Sequence, residues 1–476
     1  MKPIRLYSLV LFIAVSFLSV EIIAQARFYP AARSGGNYMH NFYFPPSPSA
    51  TPWAPDWSPD GEWIAVAMQG SIWKVDPDTG GAYELTYNDA YHSSPDWSPD
   101  GKWIIYTADY EHQRIQLEIL NTETGDSHLL TDDQAIYTDP VFSPDGSKVA
   151  YVSTNPSGYF NVYVRAISGG EWAGEPIAVS RDNEYGSNRL YFGSGDMHIT
   201  PAWLPDGDEL LIVSNRNVPL GSGNVLRVPA VEDGILQATT VLAEQTLYRT
   251  RPDVSIDGRR FVYTSTSGSA DQFNNLYVQP TQGGEPYKMT FFQHDAFHPR
   301  WSPDGESIAF ISNEGGLPQL RLLETYGGKL IRVAMSELHF KRPMGYLKVR
   351  VVDSSGAATH NRVHLEASDR KFYTPNDAYA RAGTRGDQIF HNAGEFELTL
   401  PVGEASLNFV KGFEYFPQSI EVEVEEGEVA QLTVELEQMT DMGAKGWYSA
   451  STHVHANYGG NLHNTLENLM MMSRSE

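Results

Sequence analysis

The chain has 476 residues, no cysteine, and 59 acidic against 34 basic residues, for a formal net charge of −25. The lack of thiols excludes a disulfide scaffold, a thiolate metal site and a Cys nucleophile. The acidic balance excludes general nucleic-acid binding, which needs basic surface to neutralise phosphates, while 41 Gly, 29 Pro and an aromatic content of 12% favour turn-rich β structure.

The chain opens with Lys2 and Arg5, an apolar run from Leu6 to Val20, and the small-residue triplet Ala24-Gln25-Ala26. A basic start, a short apolar stretch and an A-x-A site read as a secretory signal peptide over 1–26. The run of 15 residues is too short to span a bilayer. The mature chain is therefore expected to be exported, periplasmic or extracellular, with no membrane span after cleavage. Residues 27–44 form a lead-in.

From residue 45 to 340 one phrase recurs. It reads Pro55-Asp56-Trp57-Ser58-Pro59-Asp60-Gly61, and returns around Trp97, Phe142, Trp203, Val254 and Trp301. Its turn aspartates (Asp60, Asp100, Asp145, Asp206, Asp257, Asp304) lie 40, 45, 61, 51 and 47 residues apart. Ser-Pro-Asp-Gly is turn chemistry, because Pro presets φ, Asp bonds its own backbone and Gly accepts positive φ. A strand is predicted after each turn, for instance Lys148–Ser153 and Ser307–Ser312. Short strands at this period predict a six-bladed β-propeller, with an extra loop around Arg181–Gly195 in the long interval. The repeats resemble those of the TolB-like propeller family over about 290 residues. That family includes periplasmic scaffold proteins and the propellers of prolyl-oligopeptidase-like hydrolases. No G-x-S-x-G nucleophile elbow occurs in the chain.

Links between propeller blades cross near the axis. Three positions before the repeat Pro stand His92, Tyr137, His198 and Arg249, and His298 directly precedes Pro299. These five residues are candidates for a binding ring at the propeller mouth. Their partner would be the protein's own catalytic domain or another exported protein.

After Pro343 the pattern changes to period-two strands, including Tyr346–Val352, Glu395–Leu400 and Ala405–Val410. In Ser419–Glu425 the residues Ile420, Val422 and Val424 point inward and the glutamates outward. A small β-sandwich is predicted over 345–438. It resembles carboxypeptidase-regulatory-like or transthyretin-like modules. Phe372–Phe390 is expected to be a long loop.

Residues 446–476 hold Trp447-Tyr448 and then His453-Val454-His455, followed by Asn457-Tyr458-Gly459-Gly460 and a helix-like Asn464–Arg474. On a strand, residues two apart share a side, so His453 and His455 can bind one metal ion. Imidazole suits Zn, Mn or Fe. Strand, loop and helix in this order match the first unit of an α/β barrel. The segment resembles the opening of PHP-type metallohydrolases of the CehA/McbA-like branch, although Ser451 stands where that branch carries Asp. The amidohydrolase superfamily, which also opens with H-x-H, is the alternative. The fold class is thus expected to be mainly β: a propeller, a small sandwich and an incomplete α/β barrel start. The resemblance implies the N-terminal part of an exported metal-dependent hydrolase whose divalent metal needs further ligands. No cofactor is firmly expected in this chain, no catalytic residue is assigned, and the piece alone is expected to be inactive. The competing reading is a TolB-like binding or scaffold propeller without catalysis.

Overall fold

The computed structural model describes residues 52–110, 114–189, 193–219, 223–244, 250–267, 273–378, 380–382, 388–450 and 464–476. The expected leader and lead-in, together with Arg249, His453 and His455, lie outside the described residues. No helix among the described residues is long and apolar enough to cross a membrane.

Each repeat phrase folds for a local reason. The Ser58 hydroxyl donates to Asp60 at 2.6 Å and accepts the Trp63 amide at 2.9 Å, while Gly61 closes the turn at φ 75°. The same bonds recur at Ser98–Asp100, Ser143–Asp145 and Ser302–Asp304. Every turn is followed by a buried strand, as at Ile64–Met68, Lys148–Ser153 and Ser307–Ser312.

Among the described residues, six antiparallel sheets follow one another along the chain. Their first strands are Trp53–Trp57, Tyr91–Trp97, Tyr137–Phe142, His198–Trp203, Asp253–Val254 and Ala296–Trp301. Each first strand touches the next, and Ala296–Trp301 returns to Trp53–Trp57, so the sheets form a ring of six blades. The apolar clusters lie between neighbouring blades. One joins Ile64, Val66 and Trp73 of the first blade to Phe297, Ala309 and Ile311 of the sixth. Another joins Ala65 and Ile72 of the first to Ile104 and Tyr106 of the second. The long third interval holds a small hairpin, Glu184–Arg189 with Gly193–Gly195, rather than a seventh blade.

The ring is fastened from outside as well. After the sixth blade, strand Glu337–His339 pairs in parallel with Gly81–Glu84, the fourth strand of the first blade. The approach is close, because a Cβ placed on Gly80, whose φ is +77°, would lie 1.9 Å from the Ala334 carbonyl oxygen. Gly80→Ala should therefore destabilise the fold by more than about 1 kcal/mol in a denaturant titration. An unchanged midpoint would mean that this close approach does not matter to stability.

Residues 344 to 436 form two sheets. Met344–Val352 lies between Glu395–Pro401 and Val429–Glu435, and the other sheet contains Asn361–Glu366, Gln388–Asn392, Gly403–Val410 and Gln418–Val424. Leu347, Val349 and Val351 of one sheet meet Val363, Leu365, Phe390, Leu407 and Phe409 of the other in a single core. The stretch expected to be a loop, Phe372–Phe390, instead contains strand Ala380–Ala382 and the start of Gln388–Asn392. The helix begins at Leu466 and ends at Ser475, with the Thr465 hydroxyl capping the Asn468 amide.

Candidate functional site on the propeller axis

The first strand of a blade would alternate its side chains strictly if it were regular. It is not regular here. Between Ser93 and Asp96, and at the matching place in four other blades, the pairing register shifts by a bulge. The residue directly before the repeat Pro then takes a left-handed backbone, with φ of 47° at Ala54, 50° at Ser94, 50° at Asp139, 47° at Thr200 and 50° at His298. Such a bulge re-aims side chains. It also holds these residues in a region that non-glycine residues before Pro avoid.

The re-aimed residues meet across the ring. Arg251, before the fifth Pro, reaches Asp139 of the third blade at 2.9 Å and donates to Ser94 of the second at 2.7 Å. Arg300 of the sixth blade lies 3.6 Å from Asp56 of the first and donates to the Pro299 carbonyl at 3.1 Å. His298 sits edge-on to Trp53 at 5.0 Å between ring centroids, and its buried Nδ1 has no hydrogen-bond partner among the described residues. The aspartate after the repeat Pro acts as a staple between blades. Asp56 accepts the Trp97 amide at 2.8 Å, Asp96 the Phe142 amide at 2.7 Å and Asp253 the Trp301 amide at 2.7 Å.

Burial dominates the electrostatics. It pushes Asp56 up to about 7 against the pull of Arg300, and drives Asp96 well above the carboxylate range, with Asp56 adding to the rise. Asp253 is raised and Arg251 lowered, both chiefly by burial. His298 is held well below the usual imidazole range by burial and by Arg251 and Arg300. The axis thus holds a half-buried polar cluster that braces opposite blades.

Of the residues expected at the mouth, His298 alone among the described ones belongs to this cluster. The side chains of the others bond partners outside the axial cluster. His92 Nδ1 pairs with the Thr86 hydroxyl at 2.6 Å and its Nε2 faces Glu118 at 3.6 Å. Tyr137 donates to Asp133 at 2.7 Å, and His198 Nδ1 pairs with Ser214 at 3.0 Å. Arg249 lies outside the described residues. Sequence reasoning missed Arg251, Asp139 and the staple aspartates. Their signal was present in the phrase itself, as an acidic residue beside Pro in a strand that is otherwise core.

A second buried polar cluster locks the propeller to the two-sheet module. Arg342 lies 3.2 Å from Glu84 of the first blade and donates to Asp369 at 2.7 Å, with the side chains of all three at most 2% exposed. Asp369 also accepts from the Tyr373 hydroxyl at 2.7 Å. Lys371, fully buried, donates to the Gly70 carbonyl at 3.0 Å, and the Phe372 amide donates to the Tyr91 hydroxyl at 2.9 Å. Burial lowers Lys371 to about 8, with Asp369 opposing.

Within the expected metallohydrolase segment, 446–476, the metal candidates His453 and His455 lie outside the described residues, and chain on either side of them bonds the two-sheet module. Upstream, Met439 and Met442 donate their amides to the carbonyl and carboxylate of Glu414. Downstream, the Gly412 amide bonds the Ser475 carbonyl at 3.2 Å, and Arg362 donates to the Glu476 carboxylate at 2.6 Å. Among the described residues no cluster of three or more His, Asp or Glu side chains could hold a metal ion.

No protein-family profile matches this sequence. A stretch of 84 residues is 33% identical to an uncharacterized peptidase, YuxL, of Bacillus subtilis strain 168, and covers 17% of this chain and 13% of that protein. TolB from Acinetobacter baumannii superposes with a TM-score of 0.44 at 20% identity, over 58% of this chain and 62% of that one. A TolB-like structure from Agrobacterium tumefaciens gives 0.44 at 18% identity, over 55% and 87%. The chain therefore spans a small part of the curated relative it matches and less than two thirds of the first of these structures. The ring of six blades rests on its own strand order and contacts.

Proposed function

We propose that the chain is the non-catalytic N-terminal part of an exported metal-dependent hydrolase, in which propeller and two-sheet module act as one rigid mount. His453 and His455 supply the first two ligands of a divalent metal. A module of carboxypeptidase-regulatory-like type carries the segment that bears them. The observation that carries this reading is that chain before and after His453 and His455 bonds Glu414, Gly412 and Arg362 of a module that is itself locked to the propeller through Arg342 and Lys371. The match to a peptidase over 84 residues fits a propeller that accompanies a hydrolase.

Isothermal titration of this chain with Zn²⁺ tests the reading. Two imidazoles give weak binding that fades as pH falls below about 6.5, where protons compete for the ring nitrogens. His453→Ala/His455→Ala should abolish it. Equal affinity in the double variant would overturn the hydrolase reading and leave the propeller as a docking module for another exported protein.

A further inference from the structure

The two outer faces of the two-sheet module carry their charge differently. On the face built around Met344–Val352, acids and bases are matched across strands. Lys348 stands opposite Glu397 and bonds it at 2.8 Å, and Arg350 stands opposite Glu395 at 3.4 Å. The other face lacks this matching along Gly403–Val410 and Gln418–Val424. Glu404 stands directly opposite Glu423, and Ser406 lies between Glu421 on one side and Glu366 on the other. Like charges directly opposite one another weaken a sheet. Among the described residues these four glutamates form no ion pair, and Arg362 of the adjoining strand is engaged by Glu476.

The same strand is an open edge. Among the described residues Gln418–Val424 pairs only with Gly403–Val410, and Val429–Glu435 ends the other sheet beside it, after the link 425–428. The core is thinnest between these two edges. Ile420, Val422, Ala430 and Leu432 pack against it but are only partly buried, while Leu407 and Phe409 on the neighbouring strand are fully buried. An edge closed to other chains carries charge on its inward positions. Here the inward positions are apolar and the charge sits on the outer face.

We propose that the free edge of Gln418–Val424 is a docking site for an extended polypeptide segment that alternates apolar and basic residues. The period of a strand assigns each half of that description. A segment added to this edge sends every second side chain inward, beside Ile420 and Val422, and the others outward, beside Glu421 and Glu423. The inward row needs apolar side chains to cover the thin part of the core. The outward row needs cations to neutralise an uncompensated acidic face. A second copy of this chain does not meet that need, because edge-to-edge pairing would set Glu421 and Glu423 against the same residues of the copy. Docking here requires no metal at His453 or His455.

The probe is a seven-residue peptide of alternating valine and lysine, matched to the seven residues of the edge strand and titrated with the full chain by fluorescence anisotropy. A second peptide has the same composition with its lysines in one block, so it carries the same charge without the alternation. The alternating peptide should bind at least about tenfold tighter than the block peptide, because only it presents both rows. Glu404→Gln/Glu421→Gln/Glu423→Gln changes three exposed side chains and should weaken that binding about tenfold. In the wild type, amide hydrogen exchange should slow within Gln418–Val424 when the alternating peptide is present and stay unchanged with the block peptide. Equal affinity for the two peptides would reduce the contact to general attraction by an acidic protein. Unchanged affinity in the triple variant would remove the glutamates from recognition. No saturable binding of the alternating peptide would mean that the glutamates only guard the edge. Each of these three results overturns the docking site.

Discussion

Arg342→Ala should be among the most damaging single substitutions in the chain. The guanidinium lies between Glu84 and Asp369, and all three side chains are at most 2% exposed. Removing it leaves two carboxylates buried without their cation, a change that costs about 3–5 kcal/mol where a buried pair is broken from one side. Some compensation exists. Glu84 also accepts from the Ser71 hydroxyl at 2.8 Å and the Lys341 amide at 2.9 Å, and Asp369 from Tyr373. These hydrogen bonds and the Lys371 ammonium soften the loss but do not replace the forked guanidinium between the two carboxylates. The expected readout is calorimetric: a single transition in the wild type splits as the two-sheet module melts ahead of the propeller. Arg342→Lys should restore little, because one ammonium cannot reach both carboxylates in the forked geometry. A melting temperature within about 1 °C of the wild type would show that the junction does not bind the modules together.

Much of the framework is legible in the residues. The Ser-Pro-Asp-Gly turns locate the strands that follow them, and Lys148–Ser153 and Ser307–Ser312 end where the pattern says they should. The reason is local: a hydroxyl, a carboxylate and a glycine within four residues close the turn without help from the rest of the chain. In the two-sheet module, Ile420, Val422 and Val424 turn inward as their alternation requires. The axial site escapes the same logic. Placing the residue three positions before the repeat Pro at the axis assumes a regular strand, and the bulge at Ser94 or Asp139 breaks that assumption one residue before the Pro. His92 and His198 consequently bond Thr86 and Ser214 away from the axial cluster, whereas Ser94 and Asp139 meet Arg251. The junction was hidden for a different reason. Ser368-Asp369-Arg370-Lys371 reads as a solvated turn, and only the distant carbonyl of Gly70 makes Lys371 a buried group.

Arg251→Met should open the ring from its centre. The side chain crosses the axis from the fifth blade to the third and second, so it ties blades that share no sheet edge. Two magnitudes compete. An exposed ion pair is worth at most about 1 kcal/mol, whereas stranding one partner of a buried pair costs about 3–5 kcal/mol. The Arg251 and Asp139 side chains are 8% and 12% exposed, which places the pair near the buried limit with some residual screening. The loss should therefore fall toward the lower end of that range, measured by denaturant unfolding. Methionine preserves much of the volume, so the effect reports charge rather than a cavity. Most of the cost lies in leaving Asp139 unpaired, and Arg251→Met/Asp139→Asn should recover more than half of it. Limited proteolysis should track the same order, with the single variant cut fastest between blades and the double variant nearer the wild type. If the double variant is as unstable as the single one, the arginine acts through packing and the axial cluster is not an electrostatic brace.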